Sequence, residues 1–121
     1  PILSFRIGDG QGGHVHQQLV TRILSDRYGI QARGGCACAG PYVHRLLGID
    51  AARSAAMRAA ILSGAEIEKP GFTRLSLSVL MGEDKVRHIL ESVIDLARCA
   101  PALASRYDHD PARAIFHPRR D

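Results

Sequence analysis

Leu3, Phe5 and Ile7 alternate with Ser4 and Arg6, the period of a strand with one buried face. Gly8, Gly10, Gly12 and Gly13 then form a polar connection into a helix that carries Val15, Leu19, Val20, Ile23 and Leu24 on one stripe and closes at Gly29. Residues 30–33 predict a small strand that delivers Arg33 to one end of a sheet. Pro41 suits the first turn of a helix through Leu47, with Gly48 as its stop. Asp50 is a natural N-cap for a further helix to about Leu62, with Met57, Ala60 and Ile61 on its apolar side and Gly64 after it.

Lys69-Pro70-Gly71 is a turn signal. Phe72 leads a strand in which Leu75, Leu77 and Val79 alternate with Arg74, Ser76 and Ser78, so one face is apolar and the other polar. Val86, Ile89, Leu90, Val93, Ile94 and Ala97 keep helical register over residues 83–100, and Pro101 weakens or ends that helix. Residues 107–121, with two prolines, predict an irregular or extended tail. The order predicts an α+β fold over residues 1–106: a small antiparallel or mixed sheet of about three strands, with helices packed mainly on one face.

Composition changes this picture little. The 121 residues allow one domain, and 45% hydrophobic with 23% charged residues exclude a long disordered or collagen-like chain. The net charge of +4 comes from arginines scattered over several elements with only 5% aromatics, which reads as solvated faces rather than a nucleic-acid footprint. No stretch reads as a signal peptide or a membrane span. Three cysteines, two of them at i and i+2, make no disulfide framework, and a reducing cytoplasm is the expected setting. Pro1 leads straight into a strand without an initiator methionine, so the chain is expected to be a piece of a longer product.

Chemistry concentrates at Arg33-Gly34-Gly35-Cys36-Ala37-Cys38-Ala39-Gly40-Pro41. A helix starting at Pro41 puts its positive end near Cys38 in sequence, and Arg33 adds charge; both favour a thiolate. The alternative is that Cys36 and Cys38 are small fillers beside a tight turn. Arg74, in mid-strand among serines, offers a planar fork suited to a carboxylate, against the alternative of a solvent-facing arginine. His14 and His16 lack the i, i+4 spacing of a helical metal pair and read as exposed or capping residues. Cys36, Cys38 and His44 also allow a redox or metal-binding module, although a one-residue spacer suits a tetrahedral site poorly.

Arg33-x-Gly35-x-x-Cys38-Ala39-x-Pro41, followed by Thr73-Arg74-Leu75-Ser76-Leu77 and a helix with Val86 and Ile89, resembles the C-terminal small domain of class V aminotransferases and cysteine desulfurases. The likeness runs from the opening strand to at least Ala100. It implies a pyridoxal-phosphate enzyme of fold type I, acting on an amino acid and usually a homodimer. Cys38 matches the desulfurase cysteine that takes the substrate sulfur, Arg74 the arginine that holds the substrate carboxylate, and Arg33 the loop arginine bordering the site. Cys36 and His44 would line it. Cys36 and Ala37 replace the paired histidines of some desulfurase loops, and residues 42–71 are longer than in those enzymes. The pattern also resembles aminotransferase-like or epimerase-like members, in which Cys38 would not be catalytic. Lys69 in a turn and Lys85 in a first helical turn do not look like a Schiff-base lysine. The cofactor is therefore expected on a large domain of the same protein, and this chain alone is expected to be inert.

Overall fold

The structure, a computed structural model, describes residues 1–36 and 40–120. Strand β3 (Phe72–Ser76) lies between β1 (Ile2–Phe5) and β2 (Arg33–Gly35), antiparallel to both. β1 and β2, joined through helix α1 (Gln17–Tyr28), therefore run parallel with β3 inserted between them, a split β-α-β unit. Helices α2 (Gly40–Leu46) and α3 (Ala51–Leu62) lead to a short 3-10 turn at Glu66–Glu68, and the long helix α4 (Glu83–Ala104) follows β3. The fold is α+β, as the alternating periods predict. Among the described residues no helix is long and apolar enough to cross a membrane.

The register assigns the two faces of the sheet. Leu3 pairs with Leu75 and Phe5 with Thr73, so these side chains share one face. That face carries α1: Thr73 Oγ1 donates to the Gln17 carbonyl at 3.4 Å, and a Cβ on Gly34 would meet the same carbonyl at 3.2 Å. Leu19, Val20, Ile23 and Leu24 of α1 close the core with Ile7, Ile30 and Leu75. Gly29, at φ 67°, ends α1 as its left-handed cap, and Asp50 accepts from the Arg53 amide at 2.7 Å as the N-cap of α3.

Three expectations shift. β2 covers Arg33–Gly35 rather than 30–33, so Ile30 is free to enter the core while the strand pairing falls on the glycines. β3 stops at Ser76 and Val79 is 90% exposed, because the chain turns away before the alternation ends. In α4 the buried line is Ile89, Ser92, Leu96, Ala100 and Leu103, whereas Leu90 and Ile94 face outward. Ser92 is tolerated there because its hydroxyl donates to the His88 carbonyl at 2.6 Å. Pro101 lies inside α4, which runs on to Ala104. Its missing N–H costs one bond without ending the helix.

The tail pairs with itself. β4 (Tyr107–Asp110) and β5 (Ile115–Pro118) form an antiparallel hairpin whose Phe116 is buried in the same core. Tyr107 donates to Asp26 of α1 at 3.0 Å, and Tyr28 donates to Asp95 of α4 at 2.6 Å, so polar bonds fix both the hairpin and α4 to α1.

His16 fixes the start of α1. Its Nδ1 accepts from the Gln18 amide at 3.1 Å and its Nε2–H donates to the Ile67 carbonyl at 2.9 Å, while the ring lies 5.3 Å from that of Phe116. The cap requires the neutral ring. Burial holds the His16 pKa below its ordinary value of 6.5, against opposing pulls from the Ile67 carbonyl and Glu68. A folded pKa below the unfolded one means that the unfolded chain binds more protons as pH falls. This stability is present above about pH 6.5 and is lost as pH drops through the folded value. His16→Ala is expected to cost about 1 kcal/mol in urea unfolding at pH 7.5 and to flatten the loss of stability towards pH 5.

Candidate functional site

The face of the sheet opposite α1 carries the second set of alternating residues. Ser4 of β1 pairs with Arg74 of β3, and Arg74 pairs with Arg33 of β2, so the three form one row across all three strands. Directly opposed residues on antiparallel strands hold their Cβ atoms about 4.5–5.5 Å apart. Arg74 is half-buried and Arg33 exposed, and neither makes an ion pair among the described residues. Two like charges set opposite each other cost stability unless an anion relieves them. The row is therefore suited to a carboxylate, whose two oxygens match the guanidinium forks.

β2 ends one residue before Cys36. Gly35, at φ 135°, turns the chain out of the sheet in a conformation that other residues rarely adopt, and Cys36 follows as a half-buried free thiol. Cys38, the expected sulfur-accepting residue, lies outside the described residues together with Ala37 and Ala39. α2 starts at Gly40 with Pro41 in its first turn, and its Val43 is buried. His44 is half-buried near the end of α2, and among the described residues its ring has no hydrogen bond to Cys36. The structure thus pairs Arg33 with Arg74 in the middle of β3, places Cys36 just past the end of β2, and does not couple His44 to Cys36.

The end of β2 is held by a close backbone approach that the residue pattern does not reveal. A Cβ on Gly71, just before β3, would lie 2.5 Å from the carbonyl carbon and 2.7 Å from the oxygen of Gly35. Both partners are backbone, so neither can move without shifting the strand. Gly71→Ala is expected to cost about 1–3 kcal/mol and to displace the Gly35–Cys36 turn. Amide chemical shifts at Gly35 and Cys36, compared with those in the remote hairpin, would register it. The only sequence signal was the Pro70-Gly71 turn, which accounts for the glycine without its neighbour.

Pyridoxal phosphate requires a lysine amine, an acid for its ring nitrogen and a phosphate cradle. The described residues do not fit that group. Lys69 pairs with Glu66 on the surface, and Lys85 is exposed in the first turn of α4. Among the described residues no three His, Cys, Asp or Glu side chains converge as a metal site. A scan against protein-family models and searches of curated proteins and of solved structures each returned no match.

Proposed function

We propose that this chain is the small C-terminal domain of a class V aminotransferase or cysteine desulfurase-like enzyme, supplying the substrate-carboxylate seat and an active-site cysteine loop. The observation that carries the proposal is the Ser4–Arg74–Arg33 row on the face opposite α1, with Arg33 in the strand that precedes Cys36 and Cys38 in sequence. Pyridoxal phosphate, where it serves this enzyme, belongs to a large domain of the same protein, because the lysines here have the wrong surroundings. The partners in this reading are that domain, an amino-acid substrate and a second copy of the full-length protein, in the cytoplasm.

Each residue has a limited task. Arg74 takes the substrate carboxylate through its planar fork, and Arg33 adds a second donor from the neighbouring strand. The α1-covered face beneath them keeps β3 rigid, so the guanidinium of Arg74 starts from a fixed backbone position. The Cys38 thiolate would attack the sulfur of L-cysteine: the new S–S bond makes a persulfide, the Cβ–S bond breaks with its electron pair kept on the carbon side, and protonation there leaves alanine.

Alanine release from L-cysteine, and sulfide release once an added thiol reduces the Cys38 persulfide, measured on the cofactor-loaded full-length protein, test the reading. Release is expected with Cys38 present and at least about a hundredfold less with Cys38→Ala, since the nucleophile is then gone. No release from L-cysteine in the wild type, with other amino acids still converted and that conversion spared in Cys38→Ala, would remove the cysteine from the chemistry and leave a transaminase or epimerase in which Arg74 keeps its role. The 121-residue chain alone is expected to turn over nothing.

A further inference from the structure

A concave region lies beside the end of β1. α3 has no buried residues and packs mainly against the Glu66–Glu68 turn, leaving a cleft of about 490 Å3 between itself, β1 and the start of α1. Neither Arg33 nor Arg74 lines it. Its volume falls in the range of small-molecule sites, roughly 300–1,000 Å3. The walls mix apolar side chains, among them Phe5, Ile7, Ile49, Met57 and Phe72, with charged and polar ones in about equal measure.

The charges in the cleft are unbalanced. Lys69 is paired with Glu66, and His16 is held neutral by accepting at one ring nitrogen and donating at the other. Glu68 is the single carboxylate among the described lining residues. Against it stand Arg6 and Arg53, neither of which makes an ion pair among the described residues. Arg6 donates to His14 Nδ1 at 2.8 Å, which steadies the guanidinium and leaves most of its five N–H donors for another acceptor. Arg53 stands in the first turn of α3, on the opposite wall.

We propose that this cleft binds a small amphipathic anion, an aryl or alkyl group bearing a phosphate or carboxylate. The apolar part lies against Ile7, Ile49 and Met57, and the anionic head lies between Arg6 and Arg53. The site does not include Arg33 or Arg74.

Titration of the isotope-labelled chain with phenyl phosphate, benzoate and inorganic phosphate, followed by amide chemical shifts, tests this. Saturable shifts are expected at Ile7, Ile49, Arg53 and Gly71 with phenyl phosphate or benzoate, and whichever binds more tightly names the head group. Inorganic phosphate is expected to bind at least about tenfold more weakly, because it leaves the apolar wall uncovered. Arg6→Gln and Arg53→Gln are each expected to weaken binding about tenfold with unchanged melting, since both side chains are exposed. The proposal is overturned by shifts confined to the Arg33–Arg74 face, by the absence of saturation, by inorganic phosphate binding as tightly as phenyl phosphate, or by unaltered binding in both variants.

Discussion

Leu96→Ala is expected to lower the stability of this protein by about 2–5 kcal/mol in urea unfolding, the cost of a cavity in a packed core. Leu96 is 0% exposed and belongs to the cluster that joins α4 to Leu24, Ile30 and Leu75. Leu90→Ala in the same helix removes the same atoms from a side chain that is 41% exposed, and is expected to cost less than about 1 kcal/mol. The pair tests the orientation of α4. A larger loss at Leu90 than at Leu96 would mean that α4 is turned to bury the Val86–Leu90–Ile94 line instead.

Arg74→Gln is the second large effect. In the cofactor-loaded full-length protein of the proposed class, kcat/KM towards amino acids is expected to fall about a hundredfold, corresponding to the loss of one bidentate charge-assisted contact. Arg74→Lys should recover little of it, because an ammonium presents a point charge in place of the planar fork. The same substitution has an opposite consequence for stability. Arg74 faces Arg33 across the ladder, so removing one charge relieves repulsion, and the Arg74→Gln chain is expected to melt at the same temperature or slightly higher. A clear loss of stability would identify Arg74 as a structural residue.

Local punctuation was legible in the sequence. Gly29 and Asp50 cap their helices as their residue types predict, and His16 proves to be a capping histidine. The alternation around Leu75 correctly puts Arg74 on the opposite face of β3 from the core. What failed depends on tertiary choice. In α4 two neighbouring apolar lines were available, and packing against α1 selected the one through Leu96, accepting Ser92 because a hydroxyl can bond within its own helix. Val79 continues the strand period but lies beyond the last paired residue, and pattern alone does not reveal where pairing stops. The alternating character of the tail predicts extended chain but not that Phe116 completes the core, since Ala114 and Ile115 beside it are apolar too and pattern alone does not choose among them.

The candidate site divides in the same way. Arg33, Cys36, Cys38 and Arg74 stood out by residue type, but the pairing of Arg33 with Arg74 depends on β3 entering between β1 and β2. No local signal encodes that insertion. The contact of Gly71 with Gly35 follows from the same event, because the start of β3 meets the end of β2 there.

The central claim is that the Arg33–Arg74 row seats a substrate carboxylate. Its most direct test compares binding of L-alanine with that of L-alaninamide to the cofactor-loaded full-length protein, in the wild type and in Arg74→Gln. The wild type is expected to prefer the free acid by about a hundredfold, and Arg74→Gln to lose most of that preference. An acid-over-amide preference that survives intact in Arg74→Gln would contradict the account.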